Sequence, residues 1–150
     1  MNDALAEIVN RETIPGLRPQ QELGEVIALL GEPEDVSLSK RPLILRYGSL
    51  ELGFWEGPGS ERRLKFMGVY FRGEGLRLPG ALSRTTRWPT EPMSEMELLG
   101  LLASLGRPAT VETRAEDSLV LRAGEVVRFV LAHDEETCAL RLDSIQLLFD

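Results

Sequence analysis

QELGEVIALLGEPEDV (residues 21–36) and MELLGLLASLGRPATV (residues 96–111) decide how this chain is read. Set 75 positions apart, seven of the fifteen pairs from 22 to 36 are identical: Glu22/Glu97, Leu23/Leu98, Ala28/Ala103, Leu30/Leu105, Gly31/Gly106, Pro33/Pro108 and Val36/Val111. Ordinary composition gives roughly one or two such matches in a leucine-rich chain. Downstream the separation becomes 76, and LILRYGSLELGFW (43–55) lies over LVLRAGEVVRFVL (119–131). Held at 76, LKFMGVYF (64–71) falls over LRLDSIQL (140–147) with mostly apolar matches. The ordered series reads as an internal repeat.

Each copy reads as one helix followed by a meander. Leu23, Val26, Ile27 and Leu30 follow the i, i+3, i+4, i+7 spacing of a helix with one buried stripe, and Leu98, Leu101, Leu102 and Leu105 repeat it. Pro19 suits the first turn of the first helix, and Ser94 with Glu97 forms a capping-box pattern for the second. Gly31 and Gly106 supply stops, each followed by a proline two residues later. Leu43, Leu45 and Tyr47 alternate with Ile44 and Arg46 before a Gly48-Ser49 hairpin turn, which Gly124-Glu125 repeats. Short strands are expected near 36–39 and 111–114, and long ones over 64–71, 126–131 and 140–149.

The expected fold class is therefore α+β, as two duplicated units with one helix packed on a three- or four-stranded antiparallel meander each. Residues 1–71 form the first unit with an N-terminal extension, 72–94 a Gly/Pro-rich linker anchored by Trp88, and 95–150 the second unit.

Composition narrows the function. The chain of 150 residues carries 17 Lys and Arg against 24 Asp and Glu, net −7, so a phosphate backbone would be repelled and nucleic acid is not the expected partner. No apolar run is long enough for a bilayer, the N-terminus lacks the apolar core of a secretory signal, and a cytoplasmic protein is expected. One cysteine, Cys138, excludes an internal disulfide, and one histidine, His133, excludes a two-histidine metal site. His133 sits within AHDEETCA, which reads as a polar loop without a nucleophile beside it; Cys138 reads as a small buried residue at a strand start. EGPGSE lacks the lysine and helix of a phosphate loop, and Asp134-Glu135-Glu136 lacks the ligand spacing of a calcium loop. Neither an enzyme, nor a metal, nor a cofactor is expected.

The helix running into L-G-x-P and then a meander, as Leu30-Gly31-Glu32-Pro33 and Leu105-Gly106-Arg107-Pro108, resembles the unit of beta-lactamase inhibitory proteins and of SmpA/OmlA outer-membrane assembly lipoproteins. Tandem units of the inhibitory proteins clasp another protein on a concave sheet. Small acidic proteins of this build are also similar to immunity proteins of bacterial toxin systems. The resemblance implies a protein-binding module that neutralises a toxin, with a basic toxin domain as partner. A structural adaptor in a larger assembly and a small-ligand protein with a cleft between the units are the alternatives.

Partner-binding candidates follow from alternation. Trp55 and Glu51 point away from the Leu50/Leu52/Phe54 face, and Arg46 and its equivalent Arg122 point away from neighbouring leucines. An exposed Trp among charges has the composition of an interface anchor, while the alternative places Trp55 at the closed edge of the core. Asp134, Glu135 and Glu136 would attract a basic surface, or simply keep a hairpin solvated.

Overall fold

The computed structural model describes residues 2–37, 42–71, 75–136 and 138–150. In chain order the elements are β1 (Asn2–Asp3), α1 (Ala4–Arg11), α2 (Leu23–Leu30), β2 (Asp35–Ser37), β3 (Leu43–Tyr47), β4 (Leu50–Glu56), β5 (Arg62–Tyr70), α3 (Gly80–Ser83), β6 (Thr86–Arg87), α4 (Glu95–Ser104), β7 (Thr110–Arg114), β8 (Ser118–Ala123), β9 (Val127–Asp134) and β10 (Ala139–Leu148). The protein is α+β. One antiparallel sheet of eight strands runs in the order β2-β3-β4-β5-β10-β9-β8-β7, and β1 pairs with β6 in a short parallel ribbon.

Within 23–70 and within 95–148 the chain runs helix then four strands in sequential order. The two runs join where β5 lies antiparallel to β10, with Tyr70 opposite Ser144 and Phe66 opposite Leu148. One ladder of inward residues is Val36-Leu45-Leu52-Met67, and its counterpart is Val111-Leu121-Phe129-Ile145. The separations along these two ladders are 75, 76, 77 and 78 positions. A fixed separation of 76 therefore misplaces the last strand: Met67 corresponds to Ile145, not Asp143. From one ladder position to the next the second run takes one residue more each time: through a bulge in β7 between Val111 and Thr113, a longer β8–β9 turn, and longer stretches of β9 and β10 on either side of their turn. The β3–β4 hairpin has the two-residue turn 48–49, whereas Ala123 pairs with Val127 and leaves three residues in the β8–β9 turn, not the two expected from Gly124-Glu125.

The buried inward side chains of both runs belong to one core. Leu45, Leu52, Phe54, Leu64 and Met67 of one run and Leu121, Phe129, Leu131, Leu142 and Ile145 of the other pack with Val26, Leu98 and Leu102 from the helices. Fully burying a side chain of this size stabilises by about 1.5–3 kcal/mol, so this shared layer dominates folding. The N-terminal residues are part of it. Leu5, Ile8 and Val9 of α1 are buried at i, i+3, i+4 spacing, with Asp3 accepting from the Ala6 N–H as N-cap. Residues 75–94 also dock on the core, through buried Leu82 and half-buried Trp88, whose indole N–H donates to Thr86 Oγ1 at 3.0 Å. Of the short strands expected near 36–39 and 111–114, β2 and β7 are present; residues 38 and 39 lie outside the described residues.

The two sequential helices start and stop differently. Pro19 lies four residues before α2 rather than in its first turn, and Glu22 is the N-cap without a side-chain bond. At α4 the capping box is complete: the Glu97 N–H donates to Ser94 Oγ and the Ser94 N–H to Glu97 Oε1, both at 3.2 Å. At its far end Gly106, at φ +68°, donates to the Ala103 carbonyl and Arg107 donates to Leu102, a Schellman stop. At α2 the Gly31 N–H donates to Ile27, and the Gly31 carbonyl accepts the Tyr47 hydroxyl at 2.8 Å. Burial, and then the nearby Glu32 carboxylate, push the Tyr47 phenol up from its usual pKa.

Bonds from the Ser94 backbone and then its side chain hold the Glu97 carboxyl below the usual carboxylate range. A carboxylate depressed by folding stabilises above its ordinary titration range, and that contribution is lost as pH falls through its folded value. Urea midpoints of wild type and Glu97→Ala should differ at pH 7 and converge in acid. A gap that widens on acidification would contradict this cap. Ser94→Ala should cost about 1 kcal/mol at neutral pH, read in the same titrations.

Candidate functional site

Among the described residues the helices pack with the inward strand residues in one core, and no helix covers the other side of the sheet. The half-buried apolar residues that lean on the core do not include Ile44, Trp55, Phe66, Val120 or Val130, all of which point outward by strand alternation. One row of cross-strand partners crosses this face from edge to edge: Asp35, Arg46, Glu51, Gly68, Gln146, Arg128, Arg122, Thr110. Three of the residues singled out by alternation, Arg46, Glu51 and Arg122, thus share one ladder of the outer surface.

Beside that row lies an aromatic patch built over two glycines. A Cβ on Gly53 would come within 3.0 Å of Trp55 Cζ3, 3.1 Å of Phe66 Cβ and 3.3 Å of Ile44 Cδ1. A Cβ on Gly68 would stand 2.9 Å from Tyr70 Cε2 and 3.0 Å from Phe66 Cζ. The missing side chains let the rings lie flat across the strands. Trp55 is half-buried, its ring lying over Gly53.

Charge on this face is balanced and much of it is internally paired. Arg46 reaches Glu34 at 3.6 Å, as does Arg77, while the second Glu34 oxygen accepts the Gly48 N–H at 3.0 Å. Arg63, opposite Trp55, pairs with Glu22 and Glu61, both at 3.1 Å. Arg128 holds Glu112 at 2.7 Å. Arg122 donates to the carbonyls of Gly124 and Glu125 at 2.9 and 3.1 Å, closing its own hairpin. Exposed pairs of this kind contribute about 0–1 kcal/mol each and serve mainly to fix side-chain positions.

The acidic hairpin stands elsewhere. Because β5 and β10 are antiparallel, Trp55 lies toward the β4–β5 turn, at one end of the strands, and Asp134 at the β9–β10 turn, at the other. About ten residues of strand separate them, roughly 30 Å. Asp134 is not a free charge: one oxygen accepts the Glu136 N–H at 3.0 Å and the other pairs with Arg141 at 3.4 Å. Glu135 and Glu136 are exposed on the turn.

His133 is in strand β9, paired with Leu140, and not in a loop, because the strand continues to Asp134 before turning. Cys138 is exposed, not buried; it closes the turn in the left-handed region at φ +56° and donates its N–H to Asp134. Among the described residues no group of three or more His, Cys, Asp or Glu could hold a metal. An open cleft of about 330 Å³ is lined by Phe71, Pro92, His133, Asp134, Arg141 and Asp143, where β10 begins. His133→Ala and Cys138→Ala should each leave stability within about 0.5 kcal/mol of wild type in denaturant titrations, as surface positions do. A larger loss would show that this end of the sheet has a packing role hidden in exposed side chains.

Among the described residues no helix is long and apolar enough to cross a membrane. No family model matches the chain, and neither the curated proteins nor the solved structures contain a match.

Proposed function

We propose that this chain is a protein-binding module of the immunity-protein kind, which neutralises a toxin domain in the cytoplasm by covering it with the bare face of its sheet. The observation that carries the reading is that face itself, eight strands wide and, among the described residues, without a helix on it. Strands lie about 4.8 Å apart, so the face is roughly 35 Å wide and some 20 Å deep. That approaches the ~800 Å² which each partner contributes to a standard interface. We read the two helix-plus-meander runs as duplicated copies of one ancestral unit, fused so that β5 and β10 double the width of a single meander. The aromatic patch of Trp55, Phe66 and Tyr70 supplies rigid apolar area, and Arg46, Glu51 and Arg122 fix orientation. The net charge of −7 favours a basic partner and speeds encounter with it.

The test is to identify the product of the neighbouring gene and, where it carries a toxin domain, to co-express that domain with this chain; a neighbour of metabolic type would remove the toxin reading. Wild type should restore growth and bind the domain directly. Trp55→Ala should raise the dissociation rate, costing on the order of 2 kcal/mol, or about 30-fold in affinity. Neutralising Asp134, Glu135 and Glu136 together should chiefly slow association, with an effect that fades as salt rises. Binding with both rates unchanged would move the interface off the sheet face, and absence of protection would remove the toxin reading.

A further inference from the structure

Helix α4, EMELLGLLAS, carries no charged residue after Glu97. Leu98 and Leu102 fill the core, and Leu101 and Leu105 lean on it. The opposite side is apolar too. Met96, Leu99, Gly100 and Ala103 recur at i, i+3, i+4, i+7 and are all exposed, Met96 by 85 % and Leu99 by 39 %. Where a Gly100 side chain would stand there is open space. A helix at a protein surface ordinarily turns charged residues outward, and an apolar stripe there marks an interaction site more often than a lone exposed leucine does. Strand β7 comes near the start of α4, where Arg114 reaches Glu95 at 3.3 Å, and Val111, on the same side of β7, is 50 % exposed.

The surrounding charge selects the occupant. The His133 N–H donates to the Asp117 carbonyl at 3.0 Å, and Arg141 joins Asp134 to the Pro92 carbonyl. These contacts, with Arg114–Glu95, gather the start of α4, the β7–β8 loop and the β9–β10 turn at one end of the molecule. The approach to α4 and its first turn supply Glu91, Glu95 and Glu97, and the two turns supply Glu116, Asp117 and the Asp134–Glu136 run. With Asp143, which lines the cleft beside Asp134 and Arg141, nine carboxylates stand there against two guanidiniums, Arg114 and Arg141, both already paired. The local surplus is seven, in a chain whose total is −7. A second copy would press like charge on like, and an anionic surface would be repelled. A helix with leucines on one side and lysines or arginines on the other meets both the stripe and its rim.

We infer that the outward face of α4 docks a basic amphipathic segment of a partner protein. The surface lies in the helix layer, on the other side of the molecule from the bare sheet; it shares the Asp134–Glu136 run with the reading given for that face, but not its aromatic patch.

The test uses the full chain and a synthetic leucine–lysine amphipathic helix of about 14 residues, or four turns, beside a leucine–glutamate peptide of the same pattern. Amide shift mapping should place the lysine peptide on α4 and leave Trp55 and its neighbours unmoved. The deciding variant is Met96→Glu/Leu99→Glu, which adds two negative charges while destroying the stripe. Docking requires this variant to bind the lysine peptide at least tenfold more weakly, at circular dichroism equal to wild type. Charge attraction alone makes it bind more tightly, which would overturn the inference. So would equal binding of the glutamate peptide, shifts confined to the sheet face, or a dimer of the chain that the double variant dissolves.

Discussion

Phe129→Ala should cost about 3–5 kcal/mol and lower a single melting transition by about 10 °C. Phe129 is fully buried in the middle of β9, opposite Leu121 on one side and Ile145 on the other. Removing its ring forfeits the transfer free energy of the buried carbons and leaves a cavity that sheet neighbours on both sides are too constrained to fill. The more informative part is the shape of the curve. Two separately folding units would let the first survive when the second is damaged. Here Ile145 also pairs with Val69, and Leu147 with Met67, so the ladders of both runs meet in one layer. Far-ultraviolet dichroism, which sees all strands, and Trp fluorescence, which sees Trp55 and Trp88, should therefore fall together. Phe54→Ala, the fully buried ring of β4, should give the same loss and the same coincidence. A variant with two resolved transitions would show that the β5–β10 seam joins two cores rather than running through one.

That seam is where the sequence stops being readable. Local signals were strong where a residue type has one structural use: Ser94 with Glu97 for a helix start, Gly106 before Pro108 for a stop, Gly48-Ser49 between alternating apolar residues for a hairpin. Helices α2 and α4, the β3–β4 hairpin and the outward direction of Arg46, Glu51, Trp55 and Arg122 follow from such signals. Edge-to-edge pairing of β5 with β10 leaves no local mark, because both strands alternate as any half-wet strand does. Fixed-separation comparison then slips, since a bulge in β7, a longer β8–β9 turn and longer β9 and β10 each add a residue, and parity alone does not reveal a two-residue drift. Helix α1 was legible in principle, from Asp3 followed by Leu5, Ile8 and Val9, but eight residues make a weak pattern beside charged neighbours. Acidic and small residues in AHDEETCA hid the continuation of β9, which placed His133 in a loop and Cys138 indoors. The Trp55 ring lies over Gly53, a placement that appears only once β3 and β5 are beside it. The stripe on α4 was in plain view as unbroken apolar sequence, and only the position of the core distinguishes its inner face from its outer one.

Gly48→Ala should destabilise by about 2–3 kcal/mol, more than a turn substitution usually does. Gly48 sits at φ +61°, where an L side chain costs roughly 1 kcal/mol. The rest comes from what the turn touches. A Cβ there would lie 2.7 Å from the Arg77 carbonyl oxygen, a backbone atom that no rotamer change can withdraw. That carbonyl accepts the Ser49 N–H at 2.7 Å, and Ser49 Oγ accepts the Arg77 N–H at 2.8 Å, so the turn and the segment after β5 clasp each other. Making room breaks both bonds. The second hairpin provides the control. At Gly124, φ +79°, a Cβ would overlap the Glu12 carboxylate, which accepts the Glu125 N–H at 3.0 Å. There the obstacle is a side chain, so Glu12→Ala should remove most of the packing part of the Gly124→Ala loss and leave about 1 kcal/mol of backbone strain. Arg77→Ala should give no such relief at Gly48, because it keeps the carbonyl. Double-mutant cycles in urea measure both couplings. Large coupling between Gly124 and Glu12 with none between Gly48 and Arg77 is the expected result. Equal couplings would mean that the first turn is held by the Arg77 side chain rather than by its backbone.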